Sequence, residues 1–295
     1  MPASKITIYH LLPPRCTSEA LEAAFRELEV IENVMSLYRP GSQVCRLNRD
    51  GELQDPHGHL VRVLKFAKKI SGASNGAFDI TVQPLWEAFH AANQRGNLPD
   101  DAAVDAAGRK VDWRRVRVSE NKVTLDGEGT AITLNGIAQG YAADRVKDVF
   151  SHAGIAHALI DCGEISALGR TAQGSPWSVG VQHPREEDAF ISIAQISGRC
   201  LATSGDYATC FGGEKGDAFR WNHLFDPKTG RSPDRLASVS VAANTAMEAD
   251  ALSTAVFVAG VERGQALIEE LPGVDALFVL KNGKTMATKE FPWKV

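Results

Sequence analysis

Apolar positions along this chain switch between short unbroken runs and helical spacing, and each switch predicts an element. A run over 6–12 ended by Pro13-Pro14 reads as a first strand. Leu21, Phe25, Leu28, Ile31 and Met35 then recur at helical spacing, with Thr17 or Ser18 as the cap. A second helix runs through Leu60, Val63, Leu64, Ala67 and Ile70 and stops at Ser71-Gly72. A third carries Ala142, Val146, Val149 and Phe150 on one side and ends near Gly154, as a glycine C-cap predicts. Short apolar runs at 156–160, 190–196, 200–203 and 237–242 read as strands. Helices are expected over 246–260 and 265–271, then a hairpin turned at Asn282-Gly283 between 277–280 and 284–288. Helices and strands thus mix, with neither repeats nor low-complexity linkers. The expected fold is α+β (mixed α/β) over 1–295, as one domain or two intimately joined subdomains.

Composition narrows the function. With 295 residues, 44% of them hydrophobic and 23% charged, the chain can bury a large core without disulfide or metal staples. The net charge is -4 and basic runs stop at pairs such as Lys68-Lys69 and Arg114-Arg115, which argues against nucleic acid and against an electrostatic membrane anchor. No stretch approaches the roughly 20 apolar residues of a transmembrane helix. The start Met1-Pro2-Ala3-Ser4-Lys5 has no apolar signal-peptide core, so the expectation is a cytoplasmic or already processed protein. The cysteines at 16, 45, 162, 200 and 210 are scattered, which disfavours zinc and a disulfide framework.

Several motifs fail on context. Gly72-Ala73-Ser74-Asn75-Gly76 matches a nucleophile elbow, but a helical pattern precedes it and 78–82 looks extended. Gly127-x-Gly129 lacks the third glycine of a dinucleotide fingerprint, and neither a Walker A sequence nor H-E-x-x-H occurs.

What remains is a set of polar clusters at element ends. They are Asp79-Ile80-Thr81, Asn135-Gly136-Ile137-Ala138-Gln139-Gly140, Asp161-Cys162-Gly163-Glu164, Thr203-Ser204-Gly205-Asp206-Tyr207, His223 with Asp226-Pro227-Lys228-Thr229-Gly230, and Asp250 with Thr254. Each alone is explained by turn or cap chemistry. Asp250 and Thr254 share one face of a helix rich in small apolar residues, where a carboxylate is costly unless paired or bound to a cation. So few hard oxygen donors suit Mg²⁺, which completes its shell from waters and substrate phosphates. A phosphate-bearing substrate follows on that reading. An Asp hydrogen-bonded to the amides of a neighbouring loop explains the same two residues equally well.

The ordered blocks Ser36-Leu37-Tyr38-Arg39-Pro40-Gly41-Ser42 through Leu47-Asn48, Gly76-Ala77-Phe78-Asp79-Ile80-Thr81-Val82, 135–144, Thr203-Ser204-Gly205-Asp206-Tyr207, 223–230 and 249–254 together resemble the ApbE family of FAD:protein FMN transferases. That resemblance implies an ApbE-like, T-fold-like architecture with the flavin site in a cleft between subdomains. It also implies an enzyme that takes FAD as substrate, uses Mg²⁺, releases AMP and joins FMN to a Thr or Ser hydroxyl of an acceptor flavoprotein. Carried over by position, Asp250, Thr254 and the Ala138 carbonyl would hold the metal. His223 and Asp79 would be catalytic, and Tyr38, Asp79, Asn135, Gly136, Gln139, Glu164, Ser204 and His223 would contact the flavin nucleotide. Acceptors in the family are membrane respiratory proteins, nitrous-oxide respiration among the systems they serve, which implies a periplasmic enzyme with its signal peptide removed; the alternative is a cytoplasmic relative.

Two departures stand out. Gln139 replaces the usual lysine, losing a cation that could hold phosphate, and Cys162-Gly163-Glu164 replaces Gly-Gly-Asp, which is expected to reshape the adenine or ribose side of the pocket. Two further readings therefore stay open: an FAD pyrophosphatase that yields FMN and AMP, and a non-catalytic FAD carrier.

Overall fold

Residues 6–7, 14–212 and 219–293 are described by the computed structural model, so most of the strand expected over 6–12 lies outside the described residues. Strand β1 (Ile6–Thr7) precedes helix α1 (Pro14–Met35). Pro14 suits a first helical turn, where its missing N–H costs nothing, and Thr17 and Ser18 therefore fall inside the helix and not at its cap. Helix α2 (Gln43–Asp50), strand β2 (Glu52–Gln54) and helix α3 (Gly58–Ala73) follow. The stretch 78–82 is not extended: a 3-10 turn occupies Ile80–Val82, closed by Asp79 Oδ1 accepting the Thr81 N–H at 2.8 Å. Helices α4 (Gln83–Asn93) and α5 (Asp101–Gly108) and strands β3 (Val116–Val118) and β4 (Lys122–Leu125) complete this part, with β2, β4 and β3 paired antiparallel.

Helix α6 (Ala138–His152) leads into strands β5 (Ala158–Asp161), β6 (Ile165–Leu168), β7 (Trp177–Gln182), β8 (Phe190–Ile196), β9 (Cys200–Gly205) and β10 (Leu236–Ala243). Helices α7 (Ala246–Ala259) and α8 (Val261–Glu269) and the hairpin of β11 (Asp275–Leu280) with β12 (Thr285–Ala287) end the chain. A seven-stranded antiparallel sheet runs β1-β5-β6-β9-β10-β11-β12, while β7 and β8 form a separate ribbon. The fold class is the expected α+β.

Packing decides where the chemistry sits. Every residue of β10 is buried, and α7, lying across β9 and β10, buries ten of its fourteen residues and exposes none fully, which carries Asp250 deep into the molecule. Helix α6 crosses α7 at Gly140, where a Cβ would overlap the Ala246 carbonyl oxygen and lie 2.8 Å from Asp250 Cβ. Only glycine permits that approach. Asp144 on α6 caps α7, accepting the N–H groups of Ala246 and Met247 at 2.8 and 2.9 Å. On the far side of α6, Ala20 and Ala24 of α1 share a core with Ala143, Val146 and Phe150. Small residues make that helix contact, and Phe25, although at helical spacing with the buried Ile31, stands 53% exposed.

Candidate active site

A cavity of about 610 Å³ opens between the turn at 79–82 with the start of α4 and the layer made by α6, β9 and α7. That size suits a small-molecule ligand. Tyr38, Asp79, Asn135, Gly136, Ala138, Gln139, Glu164, Ser204, His223, Asp250 and Thr254 all line it. Blocks scattered over more than two hundred residues of sequence thus converge on one wall-to-wall site.

Its charge is one-sided. Asp79, Glu164 and Asp250 line the cavity, and among the described lining residues there is no Lys or Arg. Asp250 Oδ2 accepts the Gly140 N–H at 2.9 Å, while Oδ1 takes no hydrogen bond among the described residues. The amide reading of this residue is therefore realised for one oxygen only. Burial pushes its carboxyl up to about 7. Glu164 accepts the Thr203 N–H at 3.2 Å, and burial together with the Asp250 charge raises its carboxyl well above the usual range. One turn along α7, the Thr254 hydroxyl lies 3.0 Å from Ser204 Oγ, which also meets Ser253 Oγ at 2.8 Å.

The remaining residues take distinct places. Asp79 Oδ1 accepts from Thr81 N–H and from Thr81 Oγ1 at 2.6 Å, and Oδ2 accepts the Trp113 N–H at 2.9 Å. Three of a carboxylate's roughly four acceptor sites are thus engaged, and Asp79 chiefly holds the wall together. Burial holds the His223 imidazole below the ordinary histidine value, so it is neutral at pH 7, and its Nδ1 is buried without a hydrogen-bond partner. Tyr38 stands at the rim, 67% exposed, so it is not a core residue. Gly163, at φ +98°, lets the Gln139 side chain pass over it, because a Cβ there would overlap Gln139 Nε2. Cys162 does not shape the pocket as expected: it packs with Val146 and Phe150, and burial pushes its thiol up to about 12. Of that block only Glu164 faces the cavity.

Phe78, Trp86 and Tyr207 also line the site without having been singled out. Trp86 stacks on His90 at 4.6 Å, and burial plus the Glu164 and Asp206 charges raise the Tyr207 hydroxyl. Tyr207 stood inside a recognisable block, whereas Trp86 on α4 had no signal beyond being aromatic.

Comparison with known proteins decides the family. The ApbE family profile matches residues 3–278.

This chain belongs to the ApbE family.

It is 31% identical over 274 residues to the FAD:protein FMN transferase of Salmonella typhimurium, covering 89% of this chain and 77% of that protein. Against the protein of that name from Treponema pallidum it is 31% identical over 311 residues, 96% of this chain and 83% of the other. Among solved ApbE structures, the flavin transferase from Vibrio cholerae superposes with a TM-score of 0.83 at 26% identity, covering 97% of this chain and 94% of that one. The ApbE protein from Thermotoga maritima gives 0.85 at 27% identity, covering 99% and 96%.

The oxygen donors along this wall are of the kind a hard dication takes. No group of three or more His, Cys, Asp or Glu able to hold a metal occurs among the described residues. Asp250 and Thr254 instead bring a free carboxylate oxygen and a hydroxyl to one wall, beside Ala138 and next to a second buried carboxylate. Burial raises both acids, and the Asp250 charge adds to the rise at Glu164; a dication there would favour their charged forms, and oxygen donors are the ligands Mg²⁺ takes.

Proposed function

We propose that this protein binds FAD together with Mg²⁺ in the cavity, breaks the pyrophosphate and transfers FMN to a Thr or Ser hydroxyl of an acceptor protein, releasing AMP. ApbE membership and the names of the relatives support flavin transfer. One observation carries the rest: a cavity lined by three carboxylates, with no Lys or Arg among its described lining residues, repels a pyrophosphate unless a cation enters with it.

Asp250, Thr254 and the Ala138 carbonyl would hold the ion. When bound, it supplies neutralisation of charge on the phosphate oxygens. The chain's own groups do the rest. Gln139 and Asn135 offer amide donors to the phosphates and ribityl hydroxyls, and Tyr38 with Trp86 offers aromatic surface for the flavin ring at the rim. Neutral His223, with Nδ1 unpartnered, accepts the acceptor hydroxyl's proton as that oxygen bonds to the FMN phosphorus and the bond to the AMP phosphate breaks. The setting we propose, a respiratory membrane subunit as acceptor on the periplasmic side, rests on the family resemblance.

Incubation with FAD and Mg²⁺, with and without a flavin-accepting domain, tests the reading. AMP together with an acceptor that fluoresces in the gel is the expected result. AMP with free FMN and no labelled acceptor would make the protein a pyrophosphatase, and bound but intact FAD would make it a carrier.

A further inference from the structure

His223 makes no side-chain hydrogen bond through Nδ1, and its ring interacts with the Thr209 carbonyl, so the backbone around this residue places the ring. Its N–H donates to the Thr209 carbonyl at 3.0 Å, the Phe211 N–H donates to the Trp221 carbonyl at 2.8 Å, and Cys210 bridges Asn222, which makes 209–211 and 221–223 a short two-stranded ribbon. Both arms lead to Asp206, fully buried one residue past β9. On the first arm, Cys210 Sγ donates to the Asp206 carbonyl at 3.2 Å. On the second, two cations bound to the Asp206 carboxylate reach Phe219. Arg185 grips both oxygens, Nη1 to Oδ1 at 2.7 Å and Nη2 to Oδ2 at 2.9 Å, and its guanidinium lies over the Phe219 ring at 3.9 Å. Lys281 Nζ stands 3.5 Å from Oδ2 and donates to the Phe219 carbonyl at 3.0 Å. Asn222 Nδ2 donates to that same carbonyl at 3.3 Å, and Asn222 Oδ1 accepts the Leu224 N–H at 3.0 Å.

A buried ion cluster is a weak source of stability, because desolvation offsets most of its attraction. Its geometry fixes a register instead. We propose that Asp206, Arg185 and Lys281 form a clamp that holds the His223 ring at the cavity, and that Arg185, supplied by the loop between β7 and β8, is a positioning residue of the active site. The clamp rests on the flavin-transfer reading only in that His223 is the residue which that reading uses.

The groups that bear on the imidazole are the Thr209 carbonyl and the Asp206 carboxylate, with Arg185 and Lys281 bound to Asp206, while Tyr207, Asp79, Glu164 and Asp250 line the same cavity. Titration of the full chain labelled at histidine, followed by NMR with His223 assigned through His223→Gln, reads the ring directly without FAD. In Arg185→Gln, losing a neighbouring cation and admitting water both favour the charged ring, so His223 titrates at higher pH than in the wild type. Arg185→Lys keeps the charge but loses the fork and the flat stacking face, and falls between the two. With FAD and Mg²⁺, kcat for AMP release drops about tenfold in Arg185→Gln, as misplacement of a catalytic group predicts, while KM for FAD changes by less than about twofold.

A His223 midpoint equal to that of the wild type in both variants overturns the clamp, as does an activity loss that tracks only a lower melting temperature. Should Arg185→Gln fail to fold, Arg185→Lys and Lys281→Met carry the same comparison. Wild-type protein that releases no AMP counts against flavin transfer and leaves the titration standing.

Discussion

Replacing Asp250 by Asn separates what this residue costs the fold from what it does for the reaction. The amide has the same shape and can still accept the Gly140 N–H that reaches Oδ2 at 2.9 Å. What disappears is a buried charge whose carboxyl has risen from 3.8 to about 7. At about 1.4 kcal/mol per unit, keeping it ionised at pH 8 costs the metal-free fold up to about 4 kcal/mol. Because the folded value lies above the unfolded one, the native state holds the proton more tightly, and stability is lost as pH rises from about 4 through about 7. Metal-free Asp250→Asn is therefore expected to be more stable than the wild type at pH 8, by about 2–4 kcal/mol, or roughly 4–8 °C in melting temperature for a chain of this size. The advantage shrinks as pH falls toward 4. Added Mg²⁺ should raise the wild-type melting temperature at pH 8 and leave the variant unmoved, and AMP release should fall at least about a hundredfold in the variant. Thermal melts at pH 5 and 8, with EDTA or Mg²⁺, make the measurement. A variant less stable than the wild type at pH 8 in EDTA, or equal stabilisation of both by Mg²⁺, refutes the reasoning.

Thr254→Val removes a hydroxyl that Ser204 can spare, since Ser253 still partners it; calorimetry should show Mg²⁺ affinity down about tenfold with stability changed by no more than about 1 kcal/mol. Gln139→Lys puts a cation into a cavity that has none among its described lining residues, so FAD binding in EDTA, followed by flavin fluorescence, should tighten about tenfold and depend less on Mg²⁺. His223→Gln should lower kcat for transfer by about a hundredfold or more with little change in FAD affinity. Burial keeps wild-type His223 below the ordinary histidine value, so, with Mg²⁺ saturating, transfer should be level above neutral pH and fall on the acid side, and the part of that fall due to His223 should be missing in the variant.

The fold class was legible in the chain, and so were the blocks that converge on one cavity. Most of the cavity residues stand at or near element ends, in turns whose polar types are conspicuous between apolar runs, while Asp250 with Thr254, inside α7, is a helical-face pattern that needs no tertiary knowledge. Other features depended on contacts that no local pattern encodes. Asp79 reads as a turn or cap residue, which its bonds to Thr81 bear out, but no local pattern shows that its other oxygen takes the Trp113 N–H. Cys162 reads as a pocket residue, although β5 ends so that it turns into the core behind α6. Phe25 has the right spacing, yet the close approach of α6 at Ala20 and Ala24 leaves it outside. Helices as short as α2 and α5, and strands of three residues, present too few periodic positions to stand out. The buried Asp206 lay within a recognised block, but its partners Arg185 and Lys281 are distant in sequence and signal nothing there.

The central claim is that three carboxylates, with no Lys or Arg among the described lining residues, make pyrophosphate binding depend on a divalent ion. Calorimetric titration of FAD into metal-free protein at pH 8, repeated with Mg²⁺, addresses it. FAD affinity should rise at least about a hundredfold with the ion, on the order of 3 kcal/mol of binding energy. Equal affinity in EDTA and in Mg²⁺ would contradict the account.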